Sequence, residues 1–362
     1  MQKGKIVLKI ALVGAGSSVG RYFISQEPNS FLGIYRSDKS LSQLCDQHTN
    51  INLLRARSDD DLLQIFKEVE TVVCLINDTN PLTALKNLKK IIKLSNIAGV
   101  SQFIHLSSHS IYNGQSTAPK HLTSKGRIFK WNSYALGKQW QENFLLSAKE
   151  LPRSTIILRP GLIWGPGMAW TNIIAKEVLT DNAWMINQNN YCNIVNINFL
   201  LHAVTYFSKT KPFGLHLINL SDNENLTWED YYLRIAESLG VKLRFKILSD
   251  SECKAWKSNN GYLRSLFPIG IIWSVLPAPL KYFIKKIVTA IPSNSKIFSM
   301  SHNSHNFFLS KITREIVELK STNFLPIKSS FDEELYRTYG RSQQDDLNQI
   351  AERFKKTHQF KI

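Results

Sequence analysis

The chain has 362 residues, and 45 Lys and Arg against 28 Asp and Glu give a net charge of +17. Apolar residues make up 43% and charged residues 20%, a globular balance that excludes a disordered chain. Cys45, Cys74, Cys192 and Cys253 stand far apart with no Cys-x-x-Cys pair, which argues against a disulfide scaffold or a Cys-based zinc site and fits a reducing cytosol.

Lys3 and Lys5 precede an apolar run from Ile6 to Ala15 that imitates a short signal peptide. The run passes directly into Gly14-Ala15-Gly16-Ser17-Ser18-Val19-Gly20 with no cleavage-site pattern, so residues 6–13 read as a buried first strand. A helix follows from about Val19. Strands are expected at 31–35, 51–54, 71–76, 103–106 and 155–158, with helices at 41–47, from about Leu62 to Phe66, at 82–97 and at 133–148. Such alternation implies an α/β protein with a parallel, doubly wound sheet that binds ligands beyond the carboxyl ends of its strands. The second half is more mixed, with strands at 194–197 and 215–219 and a helix from Thr227 to about Gly240. Residues 342–356 read as a solvated terminal helix. No window holds 18 uninterrupted apolar residues, so no membrane-spanning helix is expected.

Positive charge is concentrated in two acid-free stretches, between Asp78 and Glu142 and between Glu252 and Glu315. A solvated basic surface explains both. The sharper readings are an anionic cofactor and substrate for the first stretch and an anionic membrane surface for the second. No helix-turn-helix, zinc-finger or RNP-type pattern supports nucleic acid as a partner. Within the first stretch, Lys120, His121, Lys125, Arg127 and Lys130 suit a phosphate or carboxylate on a small-molecule substrate, or simply a surface loop. Within the second, the apolar-basic segment 262–291 is broken by prolines and flanked by lysines. It suits peripheral membrane contact, a lid over the substrate or a homodimer contact. His302 and His305 lack a nearby third ligand, so no metal is expected.

Gly14, Gly16 and Gly20, with Ser17, Ser18 and Val19, sit between a strand and a helix. Glycines there allow backbone N–H groups to approach a pyrophosphate at a helix N-terminus. Arg36, after the second strand, favours the 2′-phosphate of NADP, while Asp38 keeps NAD open. The fifth strand ends in Leu106-Ser107-Ser108-His109-Ser110-Ile111-Tyr112, and Tyr134-Ala135-Leu136-Gly137-Lys138 follows on a helix. Positions i and i+4 share a helix face, so the Lys138 ammonium can lower the pKa of the Tyr134 phenol and prepare it for proton transfer. A strand-end serine hydroxyl can orient a substrate oxygen.

At these residues the chain resembles the extended short-chain dehydrogenase/reductases, the NAD(P)-dependent epimerase/dehydratase family. Ser107-Ser108-His109-Ser110-Ile111-Tyr112 is similar to its Ser-Ser-x-x-Val-Tyr-Gly segment, and Tyr134 and Lys138 match its Tyr-x-x-x-Lys. Arg159-Pro160-Gly161-Leu162-Ile163-Trp164-Gly165-Pro166-Gly167 resembles its Arg-Pro-x-x-x-Tyr-Gly-Pro-Gly stretch, and Val195-Asn196-Ile197-Asn198-Phe199 its Val-His-Val-Asp-Asp. The likeness covers roughly residues 6–240. It implies a Rossmann-type cofactor domain over 1–225, with 165–190 contributing to the substrate pocket, and a C-terminal substrate or cap region over 226–362. It also implies catalytic roles for Ser108, Tyr134 and Lys138, with Lys138 on the nicotinamide ribose. Ile76, Asn77, Arg57, Arg159 and Pro160 complete the cofactor-binding set, and His109, Ser110 and Leu162 join Ser108 around the substrate.

Four departures stand out. Ser17 replaces the middle glycine of the family's phosphate loop. Ala56, flanked by Arg55 and Arg57, stands where an Asp is common, which again favours NADP. Leu162 replaces a substrate-contacting Asn, and His109 and Ser110 replace the Asp and Glu of 4,6-dehydratases. The resemblance therefore implies a cytoplasmic enzyme of carbohydrate metabolism, an NAD(P)-dependent oxidoreductase or isomerase transferring hydride at a secondary alcohol or ketone. The substrate expected is a nucleotide- or lipid-linked sugar. A reductase of a hydrophobic, sterol-like keto compound and a non-catalytic NADP-binding regulator are the alternatives.

Overall fold

A computed structural model describes residues 10–36, 52–76, 78, 80–112, 133–185, 190–222, 226–247 and 343–358. The helix expected at 41–47, Asn77, the basic loop of Lys120 to Lys130, the segment 262–291, and His302 and His305 lie outside the described residues.

Among the described residues, seven parallel strands form the central sheet. In chain order they are β1 (Ile10–Val13), β2 (Phe31–Tyr35), β3 (Leu53–Arg55), β4 (Thr71–Cys74), β5 (Gln102–Leu106), β6 (Ser154–Pro160) and β10 (Gly214–Leu220). Their spatial order is β10-β6-β5-β4-β1-β2-β3. The chain leaves β1 toward β2 and β3, then returns to place β4 on the other side of β1. That reversal opens the ligand crevice of a doubly wound sheet at the carboxyl ends of β1 and β4.

Period-two alternation assigns the two faces. Ile10, Leu12, Val73, Ile104, Ile156 and Leu158 pack with Phe23 of α1 (Ser18–Gln26) and Leu200, Val204 and Phe207 of α6 (Ile197–Thr210). Ala11, Val13, Val72, Phe103 and Ile157 pack on the opposite face with Phe66 of α2 (Asp59–Lys67), Leu88 and Ile91 of α3 (Pro81–Ala98) and Leu145 of α4 (Ser133–Ser147). Strands covered on both sides carry continuous apolar runs, and each fully buried Leu, Ile or Phe adds about 1.5–3 kcal/mol.

A second cluster lies outside the sheet. It joins Trp164 of β7 (Leu162–Trp164), Ile174 and Val178 of α5 (Ala169–Leu179), Met185 of β8 (Trp184–Met185) and Ile194 of β9 (Ile194–Asn196) to α7 (Trp228–Leu239). β8 pairs with β11 (Lys246–Ile247), and β7 with β9. Thr227 caps α7 through a reciprocal capping box with Asp230, and Gly240 ends it in the left-handed region.

The terminal helix α8 (Gln343–His358) differs from its expectation. Leu347, Ile350 and Ala351 are buried against the second cluster rather than solvated. The fully buried Asp346 carboxylate accepts from Asn196 (2.6 Å) and Asn198 (2.9 Å), and the Tyr22 hydroxyl donates to Asn198. One carboxylate thus fastens α8 to α1 and α6, and two asparagine amides facing it outweigh solvation of a helix with a low apolar content. Among the described residues no helix is long and apolar enough to cross a membrane.

Candidate active site

The turn after β1 is shaped by two glycines. Gly14 has φ +98°, and a Cβ there would lie 3.2 Å from Leu75 just past β4. A Cβ on Gly20 would lie 2.7 Å from the carbonyl oxygens of both Gly14 and Ala15. The first helix therefore packs against its own entry loop. Ser17, where the resembled phosphate loop carries its middle glycine, needs none, because its φ of −69° is ordinary. Its hydroxyl accepts the Gly20 N–H (3.0 Å) and caps α1. Arg21 donates back to the Gly16 carbonyl (2.8 Å). The cap leaves the first-turn N–H groups of Ser18 and Val19 as anion donors, strengthened by the helix dipole. This cradle fits a pyrophosphate. Gly20→Ala is expected to lose about 1–3 kcal/mol of stability in urea titration, together with most affinity for a dinucleotide.

Arg36 and Arg57 follow β2 and β3, and both are exposed; Ala56, just past β3, is buried and its N–H donates to the Tyr35 carbonyl. The Arg57 N–H donates to Asp61 (2.7 Å), within the capping box that starts α2 at Ser58.

At the carboxyl ends of β4 and β5 the candidate chemistry gathers. Lys138, on α4, is buried, and its Nζ donates to the Leu106 carbonyl (2.7 Å) and the Ile76 carbonyl (3.2 Å). An ammonium has three donors, so one remains for a ligand. The same Nζ lies 5.9 Å from the Tyr134 ring centroid, one helical turn away. Burial pushes the Lys138 pKa down to about 8, while Glu142 on the next turn opposes the fall. Cys74 acts the same way only as a thiolate, which its own burial disfavours. Ser108 lies two residues past the end of β5. Its Oγ accepts the Ser110 N–H (3.1 Å), which orients the hydroxyl and leaves its own hydrogen to donate.

Arg159, expected near the cofactor, is turned inward. Its guanidinium makes a bidentate pair with the buried Glu142 (2.6 Å at the shortest contact) and donates to the Tyr112 hydroxyl (3.1 Å), which donates in turn to Asn219 (2.6 Å). Ser107 donates to the other Glu142 oxygen. Burial alone would lower the Arg159 pKa, but its bonds to Glu142 raise it. Pro160, the last residue of β6, is buried.

His109 is buried beside Tyr112, with ring centroids 5.7 Å apart. Burial, then the Arg159 charge, lowers its pKa to about 3, so its ring is neutral at physiological pH. Neither ring nitrogen, nor the Ser110 hydroxyl, has a hydrogen-bond partner among the described residues. Leu162 starts β7, half-buried, and packs toward the second cluster. Among the described residues no group of His, Cys, Asp and Glu could hold a metal ion.

Sequence reading missed Glu142, Ser107, Asn219 and the wholly buried His105, whose ring also lacks a partner among the described residues. Glu142 carried a signal. It is the first acid after Asp78 and continues the i, i+4, i+8 face of Tyr134 and Lys138. The partners of Asn219 and His105 depend on which strands lie side by side, which no local pattern shows.

No family model matches the chain, and no curated protein does. Solved structures do. The protein gox2253 aligns over 97% of this chain and 98% of its own, at 16% identity and TM-score 0.61. The dTDP-glucose 4,6-dehydratase of Bacillus anthracis, solved with NAD, aligns over 67% of this chain and 85% of its own (16% identity, TM-score 0.54). MoeE5, solved with UDP-glucose and NAD, does so over 67% and 85% (16% identity, TM-score 0.51). Identities this low establish the fold alone, and on that ground the chain has the Rossmann-type α/β fold of these solved structures, two of which hold NAD.

Proposed function

We propose that the protein is an NAD(P)-dependent oxidoreductase or epimerase acting at a secondary alcohol or ketone of a nucleotide- or lipid-linked sugar. One observation carries this reading: a buried ammonium, Lys138, one helical turn from Tyr134 and bonded to the carbonyls of Ile76, past β4, and Leu106, which ends β5 two residues before Ser108. The sugar assignment rests on neighbours of the same fold that hold UDP-glucose or process dTDP-glucose.

Gly14, Ser17, Ser18, Val19 and Gly20 would hold the pyrophosphate, and Lys138 the nicotinamide ribose through its remaining donor. Exposed Arg36 and Arg57 at the ends of β2 and β3 favour the extra phosphate of NADP. A nicotinamide held there would supply hydride acceptance and return. The protein's part is proton transfer. Ser108 donates to the reacting oxygen and fixes its position. Tyr134 removes the hydroxyl proton as the carbonyl forms and returns it when the carbonyl is reduced. Lys138, charged beside the phenol, stabilises the phenolate and so brings its pKa toward neutrality. Reduction on the opposite face of the carbonyl gives net epimerisation.

Leu162 favours a second reading, a reductase of a hydrophobic keto compound, because an apolar side chain occupies the position of a substrate-binding amide. A panel of UDP- and dTDP-sugars against hydrophobic ketones separates the two. Each is incubated with the purified protein and NAD or NADPH, and products are followed by NMR and absorbance at the reduced nicotinamide band. Conversion of a nucleotide sugar is expected; turnover confined to hydrophobic ketones replaces the first reading with the second. Turnover of neither, with no nucleotide bound, contradicts both.

A further inference from the structure

We propose that Glu142 is a positioning residue, whose carboxylate, held in place by Ser107 and Arg159, keeps the buried Lys138 ammonium charged and the α4 face aligned with the end of β5. The proposal rests on the reading of Lys138 as the group that holds the cofactor.

The geometry supplies the reasons. Tyr134, Lys138 and Glu142 recur at every fourth residue and so share one face of α4. That face meets the sheet at two levels. Lys138 reaches the carbonyls of Leu106 and Ile76. One turn on, Glu142 takes the hydroxyl of Ser107 and the guanidinium of Arg159. Ser107 immediately precedes Ser108, so the contact ties the helix of the acid/base pair to the strand end of the orienting hydroxyl. Arg159 is itself fixed through Tyr112 and Asn219.

Charge makes the contact more than a clamp. The groups facing Lys138 are Cys74 from β4, His105 from β5, and Tyr134 and Glu142 from its own helix. Burial keeps the Cys74 thiol protonated, and it pushes the His105 pKa well down so that the ring is neutral. Glu142 is therefore the negative charge that offsets desolvation of the ammonium. Cys74, when a thiolate, and Glu142 are the charges that act on Lys138, whereas the Arg159 guanidinium is engaged by Glu142 and Tyr112.

The titration of Lys138 tests the proposal on the full chain without added cofactor. Lysine ε-carbon NMR follows each ammonium, and Lys138→Arg identifies the Lys138 signal by its loss. The unaltered protein is expected to lose this proton near pH 8. Glu142→Gln is expected to lower the midpoint by about one pH unit. Ser107→Ala retains the carboxylate and is expected to move it much less. An unmoved midpoint in Glu142→Gln overturns the proposal, as does an equal displacement in Ser107→Ala. Should Glu142→Gln not fold, since it strands a buried guanidinium, the pair Glu142→Gln with Arg159→Gln is read in the same way. Failure of the protein to bind a nicotinamide nucleotide would overturn the reading of Lys138 but would leave this titration unaffected.

Discussion

Tyr134→Phe is expected to lower kcat on the substrate found in the panel by ~10²–10⁴-fold, the usual contribution of a positioned acid/base. The phenol oxygen is the one atom removed, and Tyr134 is half-buried on the face of α4 that bears Lys138. Packing is retained, so the melting temperature should hold. Dinucleotide affinity should hold as well, because the pyrophosphate cradle and the Lys138 donor are untouched. This separation of rate from binding is the signature sought. Stopped initial rates and fluorescence titration with the nucleotide give both numbers from one preparation. A variant that turns over as fast as the parent removes Tyr134 from the chemistry. Equal loss of rate and nucleotide affinity would instead assign it a binding role.

Arg159→Met carries the largest expected effect on stability. The guanidinium is buried, and it makes a bidentate pair with a carboxylate that is itself wholly buried. Removing the cation leaves Glu142 in the interior with the Ser107 hydroxyl as its remaining partner from this network. Breaking such a pair from one side costs about 3–5 kcal/mol, whereas replacing both partners by apolar groups is often neutral. Arg159→Met should therefore unfold at clearly lower urea, and adding Glu142→Leu should recover most of the loss. Parallel urea titrations of the two variants decide it. A single variant as stable as the parent would mean that water reaches Glu142.

These two residues also mark what a sequence alone reveals. The centre of the sheet was legible because β1, β4, β5 and β6 are largely apolar runs, buried throughout as coverage on both faces requires, whereas the outer strands β3 and β10 are only partly buried. The Gly14–Gly20 turn, Tyr134 and Lys138 were legible because their chemistry depends on short spacings along one loop or one helix face. Ser17 illustrates a departure whose cause is structural: its φ is ordinary, so the position needs no glycine, and its hydroxyl caps α1. Glu142 and Arg159 are 17 positions apart in the chain, and their pairing follows from α4 lying over β6. The docking of α8 was misread for a related reason. Asp346 looks solvated in a polar helix until Asn196 and Asn198 are brought against it by the fold.

The decisive measurement is equilibrium binding of NAD and NADP to the unaltered protein and to Lys138→Met, by tryptophan fluorescence or calorimetry near pH 7. Saturable binding of one dinucleotide is expected, weakened about 10–100-fold in the variant, as loss of a charged hydrogen bond implies. No saturable binding to the parent, or equal affinity in Lys138→Met, would contradict a cofactor held at the ends of β1, β4 and β5.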